Sequence, residues 1–313
     1  MILIAGVATE PPVALALEAA REAGIAHLLF DQRAIATADT VLDFDPERGW
    51  TGMLNTDGEE IPLDELDGVY LRLMDEGIFP DVAALAEGDP ARARLRDLGL
   101  LLHAWFDVAP GRVANRPRAM MSNMSKTYQA VTIRAAGFSV PETLVTSDPE
   151  QVLAFAAACA RDGDTLIYKS VSGTRSVVQI FGEQDKEKLA RIRWCPTQFQ
   201  RRVPGTDVRV HVIGDRLFPT RIDSEAVDYR YAVQQTGVDA ELSETALPDR
   251  VAQTCVGLAA RLGLSFAGID LRQTPDDHWY CFEVNPCPAY SYYQARTGAP
   301  IARALVSWLA GGN

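Results

Sequence analysis

The chain has 313 residues, 47% of them apolar and 23% charged, which excludes a disordered or collagenous protein and leaves room for two or three domains. Its 42 acidic and 30 basic side chains leave a net charge of -12, so the overall field repels nucleic-acid backbones and anionic membrane surfaces. No nucleic-acid or membrane partner is expected, and a polyphosphate ligand would need a local cluster of Lys, Arg and metal. The five cysteines, Cys159, Cys195, Cys255, Cys281 and Cys287, show neither a C-x-x-C pair nor His at zinc-finger spacing and read as free thiols. No basic region precedes the first apolar run, which Glu10, Pro11 and Pro12 interrupt, and no other apolar stretch reaches the ~20 residues of a membrane span. A cytoplasmic location is expected.

Ile2 to Val7 reads as a buried strand, Pro11 to Ala23 as a helix stopped by Gly24, and Ile25 to Phe30 and Gly68 to Leu73 as further strands. This is a Rossmann-like α/β layer without a G-x-G-x-x-G, so a dinucleotide site there is not supported. A helix from Ala91 to Phe106 leads to the strand Val113-Ala114-Asn115, and a first boundary falls near Gly111. Next come a helix over Met120 to Ala136, a strand Thr143 to Thr146, a helix Pro149 to Arg161 behind Asp148, and strands Thr165 to Ser170 and Ser176 to Phe181. From Thr197 the pattern changes to hairpins: Gln198 to Val203, Val208 to Ile213 and Leu217 to Ile222, with turns at Pro204-Gly205 and Gly214-Asp215. A helix Asp249 to Leu262, strands Phe266 to Gln273 and Trp279 to Val284, and a helix with Ile301, Leu305 and Trp308 close the chain. The expected sections are residues 1–112, 113–195 and 196–313.

Three groups of residues carry chemistry. Asp270 on one late strand and Glu283 and Asn285 on the next can share a face by period-two alternation, while Leu271, Phe282 and Val284 point away or pack. Two carboxylates and an amide oxygen form a hard oxygen site suited to magnesium, although Asp270 alone would read as a turn cap. Lys126 and Lys169 stand apart from the surface lysines, and Lys169, in the apolar strand Leu166-Ile167-Tyr168-Lys169, calls for an anion such as phosphate unless it snorkels at the strand end. Arg209, Arg221 and Arg230 could converge on a transferring phosphoryl group or a substrate carboxylate, with surface salt bridges as the competing reading. Tyr290, Tyr292 and Tyr293 read first as core, and His27, His103, His211 and His278 show no triad-like setting.

The ordered set of Lys126, Lys169, Gln200 to Arg209, Arg221, Asp228-Tyr229-Arg230, Gly268 to Leu271 and Phe282 to Pro286 resembles the ATP-grasp ligase superfamily. It is most similar to the branch of ribosomal-protein glutamate ligases, glutathione synthetases and ligases that cyclise microviridin-type peptides, over about two thirds of the chain. The resemblance implies a fold of two α+β lobes clasping ATP behind the Rossmann-like layer. It also implies phosphate binding by Lys126 and Lys169, an adenine hinge over Gln200, Arg202 and Val203, ribose binding by Asp207, and Phe282 against the adenine. Asp270, Glu283 and Asn285 then match the Mg2+ ligands, and Arg209, Arg221 and Arg230 the catalytic arginines. Two departures stand out: the lid-like loop Ser170 to Arg175 has a single glycine, and Arg201 replaces a common hinge Glu.

The expected reaction transfers the γ-phosphoryl of ATP to a carboxylate, and an amine or hydroxyl then displaces phosphate from the acyl phosphate. The carboxylate and acceptor belong to an amino acid, a peptide or a protein tail, and a homo-oligomer is compatible with this reading. The alternatives are a small-molecule kinase of the same fold and a nucleotide-sensing protein without turnover.

Overall fold

The computed structural model describes residues 1–47, 49–56, 58–171 and 177–312. The amino-terminal sheet is parallel, with β2 (His27–Asp31) and β6 (Gly68–Leu71) flanking the fully buried β1 (Ile2–Gly6), and β7 (Arg112–Ala114) beyond β6. Helix Pro90–Val108 covers one face through Leu95, Leu102, Trp105 and Phe106. Helix Pro11–Glu22 covers the other, together with the last helix, Ile301–Leu309, which returns from the far end of the chain. Burial on both faces is what makes the strands read as continuous apolar runs.

Between β2 and β6 lies an antiparallel meander of β3 (Asp39–Asp45), β4 (Gly49–Thr56) and β5 (Glu59–Pro62), which sequence reading left without strands. Its Asp, Gly and Asn content is depleted in strands generally, and most of β3 faces solvent.

The middle section is an antiparallel sheet of β8 (Thr143–Thr146), β9 (Leu166–Ser170), β10 (Gln179–Ile180) and β11 (Thr197–Arg201), in the order β10-β9-β11-β8. Helix Pro149–Arg161, capped by Asp148, packs on the face that carries Leu166 and Phe199. β11 pairs with β8 and β9, which overturns the expected hairpin across Pro204-Gly205. That turn instead passes the chain between two sheets, so we propose to move the second boundary from 195/196 to Pro204-Gly205. Ser172 to Ser176, in the expected lid loop and following strand, lie outside the described residues.

The last sheet runs β14-β13-β12-β15-β16, from β12 (Thr206–Ile213), β13 (Arg216–Asp223), β14 (Glu241–Glu244), β15 (Phe266–Gln273) and β16 (Trp279–Asn285). Helices Lys126–Ala136 and Asp249–Arg261 cover the face that carries Val208, Val210, Val212, Ile269 and Val284. Alternation leaves Arg209, His211, Asp270, Glu283 and Asn285 on the opposite face, toward the other two sections. The α/β and α+β class is as expected.

Candidate functional site

Strand register builds the centre of the site. Arg209 lies opposite Asp270 and Asp270 opposite Glu283, so three charged side chains form a row across β12, β15 and β16. In the adjacent row His211 lies opposite Gly268 and Gly268 opposite Asn285. Gly268 leaves room for the Arg209 guanidinium in its present position, since a Cβ there would sit 2.0 Å from it. That guanidinium donates to Asp270 Oδ1 at 2.6 Å and lies 5.7 Å from the centre of the Tyr293 ring.

The free edge of β16 is held by side chains that sequence reading missed. Gln129 donates to the Val284 carbonyl at 2.7 Å and accepts from its N–H at 3.2 Å. Asn115 donates to the carbonyls of Phe266 and Pro286 and accepts from the N–H groups of Ser265 and Phe266. A glutamine on an otherwise apolar helix face was the one available signal for such a clamp.

A cavity of about 600 Å³ opens over the charged row, and Lys126, Lys169, Arg209, Arg230, Asp270, Glu283 and Asn285 all line it. Lys126 Nζ lies 2.6 Å from Glu283 Oε1. Burial pushes the Glu283 carboxyl up, but Lys126 and Lys169 outweigh burial and hold it below the ordinary value. Lys169 approaches from the face of β9 away from its helix, and burial drives its ammonium below the usual lysine value despite Glu283. Arg230 is oriented by the buried Asp228, which accepts from its Nε at 2.8 Å and its terminal nitrogen at 2.7 Å. Tyr229 and Tyr293 line the same cavity with their hydroxyls 2.7 Å apart, and Tyr292 also reaches it. Of the three carboxyl-terminal tyrosines, Tyr290 alone is plain core, its hydroxyl donating to the Pro12 carbonyl.

Arg221 does not join this group. It lies opposite Val208, which places it on the face away from Arg209, and it pairs with Asp223. Parity along β13 therefore removes it from the row. Among the described residues no cluster of three or more His, Cys, Asp or Glu could hold a metal ion. The donors here are two carboxylates and an amide, a set that fits magnesium, which takes few protein ligands and completes its shell with water and phosphate oxygens.

The remaining candidates lie outside the main cavity. Asp207 is clamped by Arg272, which donates to both carboxylate oxygens at 2.8 Å and to the Val203 carbonyl at 2.8 Å. Burial pushes the Asp207 carboxyl up against the pull of Arg272. A β-bulge in β16 between the partners of Asp270 and Leu271 inserts Phe282 as an extra residue. Its ring lies 5.1 Å under the Arg272 guanidinium, so the bulge re-aims a side chain that simple alternation sends to the core. Arg202 and Asp207 share a small polar pocket with Arg272. Gln200 donates to Thr143 Oγ1 at 2.9 Å. Arg201 pairs with the acids Glu142, Asp162 and Asp164.

The RimK-like ATP-grasp domain family matches residues 124–309. The chain belongs to this family. A curated relative, a probable alpha-L-glutamate ligase of Enterobacter sp. (strain 638), is 24% identical over 214 residues, covering 65% of this chain and 69% of that protein. The ATP-grasp ligase PsnB, solved with a minimal precursor, Mg and ADP, is 26% identical with a TM-score of 0.80, over 99% of this chain and 96% of that one. The macrocyclase MdnC of Microcystis aeruginosa MRC, solved with the precursor peptide MdnA, is 20% identical with a TM-score of 0.79, over 99% of both chains, a likeness of fold alone. As a RimK-like ATP-grasp protein, the chain is an ATP-dependent ligase. Among the described residues no helix is long and apolar enough to cross a membrane.

Proposed function

We propose that this ligase activates a carboxylate of a peptide with ATP and passes the acyl group to an amine or hydroxyl, releasing ADP and phosphate. The observation that carries the proposal is the single cavity in which Lys126, Lys169, Arg209 and Arg230 meet the Asp270, Glu283 and Asn285 oxygens. PsnB, solved with its minimal precursor, Mg and ADP, supports a peptide and a nucleotide as ligands.

In this reading Lys126 and Lys169 bind the phosphates of ATP. The hinge at Gln200, Arg202 and Val203, with Asp207 and Phe282 braced by Arg272, takes the nucleoside. Asp270, Glu283 and Asn285 would hold Mg2+, whose chemistry there is neutralisation of phosphate-oxygen charge. Arg209 and Arg230, each fixed by a carboxylate, present preset donors to the transferring phosphoryl group and the substrate carboxylate. The substrate oxygen bonds to the γ-phosphorus as the bond to ADP breaks. The acceptor then bonds to the acyl carbon, phosphate leaves, and the acceptor's proton passes to solvent.

Hydroxylamine added to enzyme, ATP, magnesium and a panel of Asp- and Glu-containing peptides tests this directly. Hydroxamate and ADP should form together with the productive peptide. A stable phosphorylated product without hydroxamate would overturn the ligation chemistry in favour of a kinase.

A further inference from the structure

Arg72 follows β6 in the amino-terminal layer and is only 7% exposed. Its N–H donates to the Ala5 carbonyl, which continues the parallel ladder one residue past the strand. Its Nε donates to Glu10 Oε2 at 3.0 Å, and one terminal nitrogen pairs with the other Glu10 oxygen. The remaining nitrogen crosses to the carboxyl-terminal section, donating to Cys287 Sγ at 3.1 Å and to the Pro288 carbonyl at 3.2 Å. Cys287 in turn donates its N–H to Asn285 Oδ1 at 2.8 Å. A continuous chain of contacts thus runs from Glu10 through Arg72 and Cys287 to the amide oxygen of Asn285.

Two further bonds seat the same segment. Asn115 holds the Pro286 carbonyl, and the Tyr290 hydroxyl reaches the Pro12 carbonyl at the start of the first helix. Only the planar, multi-donor guanidinium can serve Glu10, Cys287 and Pro288 at once, since an ammonium has no fixed fork. Groups that orient a metal ligand from behind commonly matter nearly as much as the ligand itself.

We propose that Arg72 is a positioning residue for Asn285, so that the amino-terminal layer sets one oxygen of the magnesium site. The inference rests on the magnesium reading of Asp270, Glu283 and Asn285. Glu10 locks the guanidinium plane, and the two bonds to residues 287 and 288 hold the segment that aims the Asn285 side chain. The layer thereby takes part in metal binding while none of its own residues touches the ion.

The test measures free Mn2+ by its paramagnetic resonance signal while the ADP-saturated full-length protein is titrated with the metal. Arg72→Met should weaken Mn2+ binding about tenfold with metal-free ADP affinity within about twofold, Glu10→Gln about threefold, and Arg72→Lys should fall between. Asn285→Ala and Glu283→Gln serve as controls for the site itself. If Arg72→Met and Glu10→Gln bind Mn2+ like wild type while the controls lose it, Arg72 only glues the layers and the proposal is overturned. If the controls also bind like wild type, the magnesium reading fails first and the two failures are told apart. Should Arg72→Met not fold, Glu10→Gln carries the same expectation through the milder break.

Discussion

Glu283→Gln should destabilise the ligand-free protein as well as impair metal binding, because Glu283 is the countercharge of two lysines. Lys126 Nζ lies 2.6 Å away, and the two side chains are 22% and 25% exposed. At an effective dielectric of about 20 the gross attraction at that distance is about 6 kcal/mol. Desolvation of both ions cancels much of it, and the quarter exposure screens more, leaving a net loss of about 1–3 kcal/mol when the carboxylate becomes an amide. At roughly 2–4 °C per kcal/mol for a unit the size of the matched domain, residues 124–309, calorimetry should record a drop of several degrees at pH 7. The pH dependence has a definite sign. Glu283 is held below its ordinary value of 4.5, so its stabilisation is complete above that pH and is lost as pH falls through the folded-state value. Wild type and variant should therefore differ at pH 7 and converge as pH falls through the folded-state value of Glu283. ADP added without metal should restore part of the loss, because its phosphates can replace the missing countercharge. A variant that melts at or above wild type at pH 7 would refute the reasoning, for then Glu283 does not balance the lysines.

Lys169→Met should move stability and function in opposite directions. Its burial-depressed ammonium costs stability at neutral pH, a cost relieved only as pH rises through the folded value toward 10.5, so the ligand-free variant should melt at or above wild type. Nucleotide affinity by calorimetry should nevertheless fall about 10–100-fold, the worth of a charge-assisted bond, and unchanged affinity would remove Lys169 from the phosphate site. Arg221→Ala should keep turnover within about twofold, since an exposed pair contributes little, whereas Arg209→Lys should lose most of it with the planar fork. A large loss in Arg221→Ala, measured as ADP release, would bring that residue back into the mechanism.

Much of the centre was legible because its geometry is local. Asp270, Glu283 and Asn285 lie on two strands joined by a short turn, and alternation alone brings them to one face. The same reasoning would have excluded Arg221. The two-residue turn Gly214-Asp215 pairs Ile213 with Arg216, and counting back puts Arg209 opposite Thr220, so Arg221 falls on the other face. Phe282 escaped because a bulge changes parity without a residue type that announces it. Arg72 escaped because its partner Cys287 is 215 residues away in the chain. The Pro204-Gly205 turn misled for a different reason: turn chemistry states that the chain bends, and says nothing about which strand the next one will pair with.

The charge balance explains how an acidic protein can hold a polyphosphate and why the site is built before the ligand arrives. Among the described residues lining the cavity, the four cations Lys126, Lys169, Arg209 and Arg230 outnumber the three acids Asp239, Asp270 and Glu283, and with Asp228 behind Arg230 the cluster is balanced inside a chain of -12. Each carboxylate proposed to hold Mg2+ is already paired, Asp270 with Arg209 and Glu283 with Lys126. These pairs let the cluster fold without leaving bare buried charge, the costly alternative. In the proposed function the same pairs would make ligand binding an exchange of partners, phosphate taking Lys126 from Glu283 and the released carboxylate meeting a cation. In the proposed function, filling the phosphate site and filling the cation site would therefore favour each other.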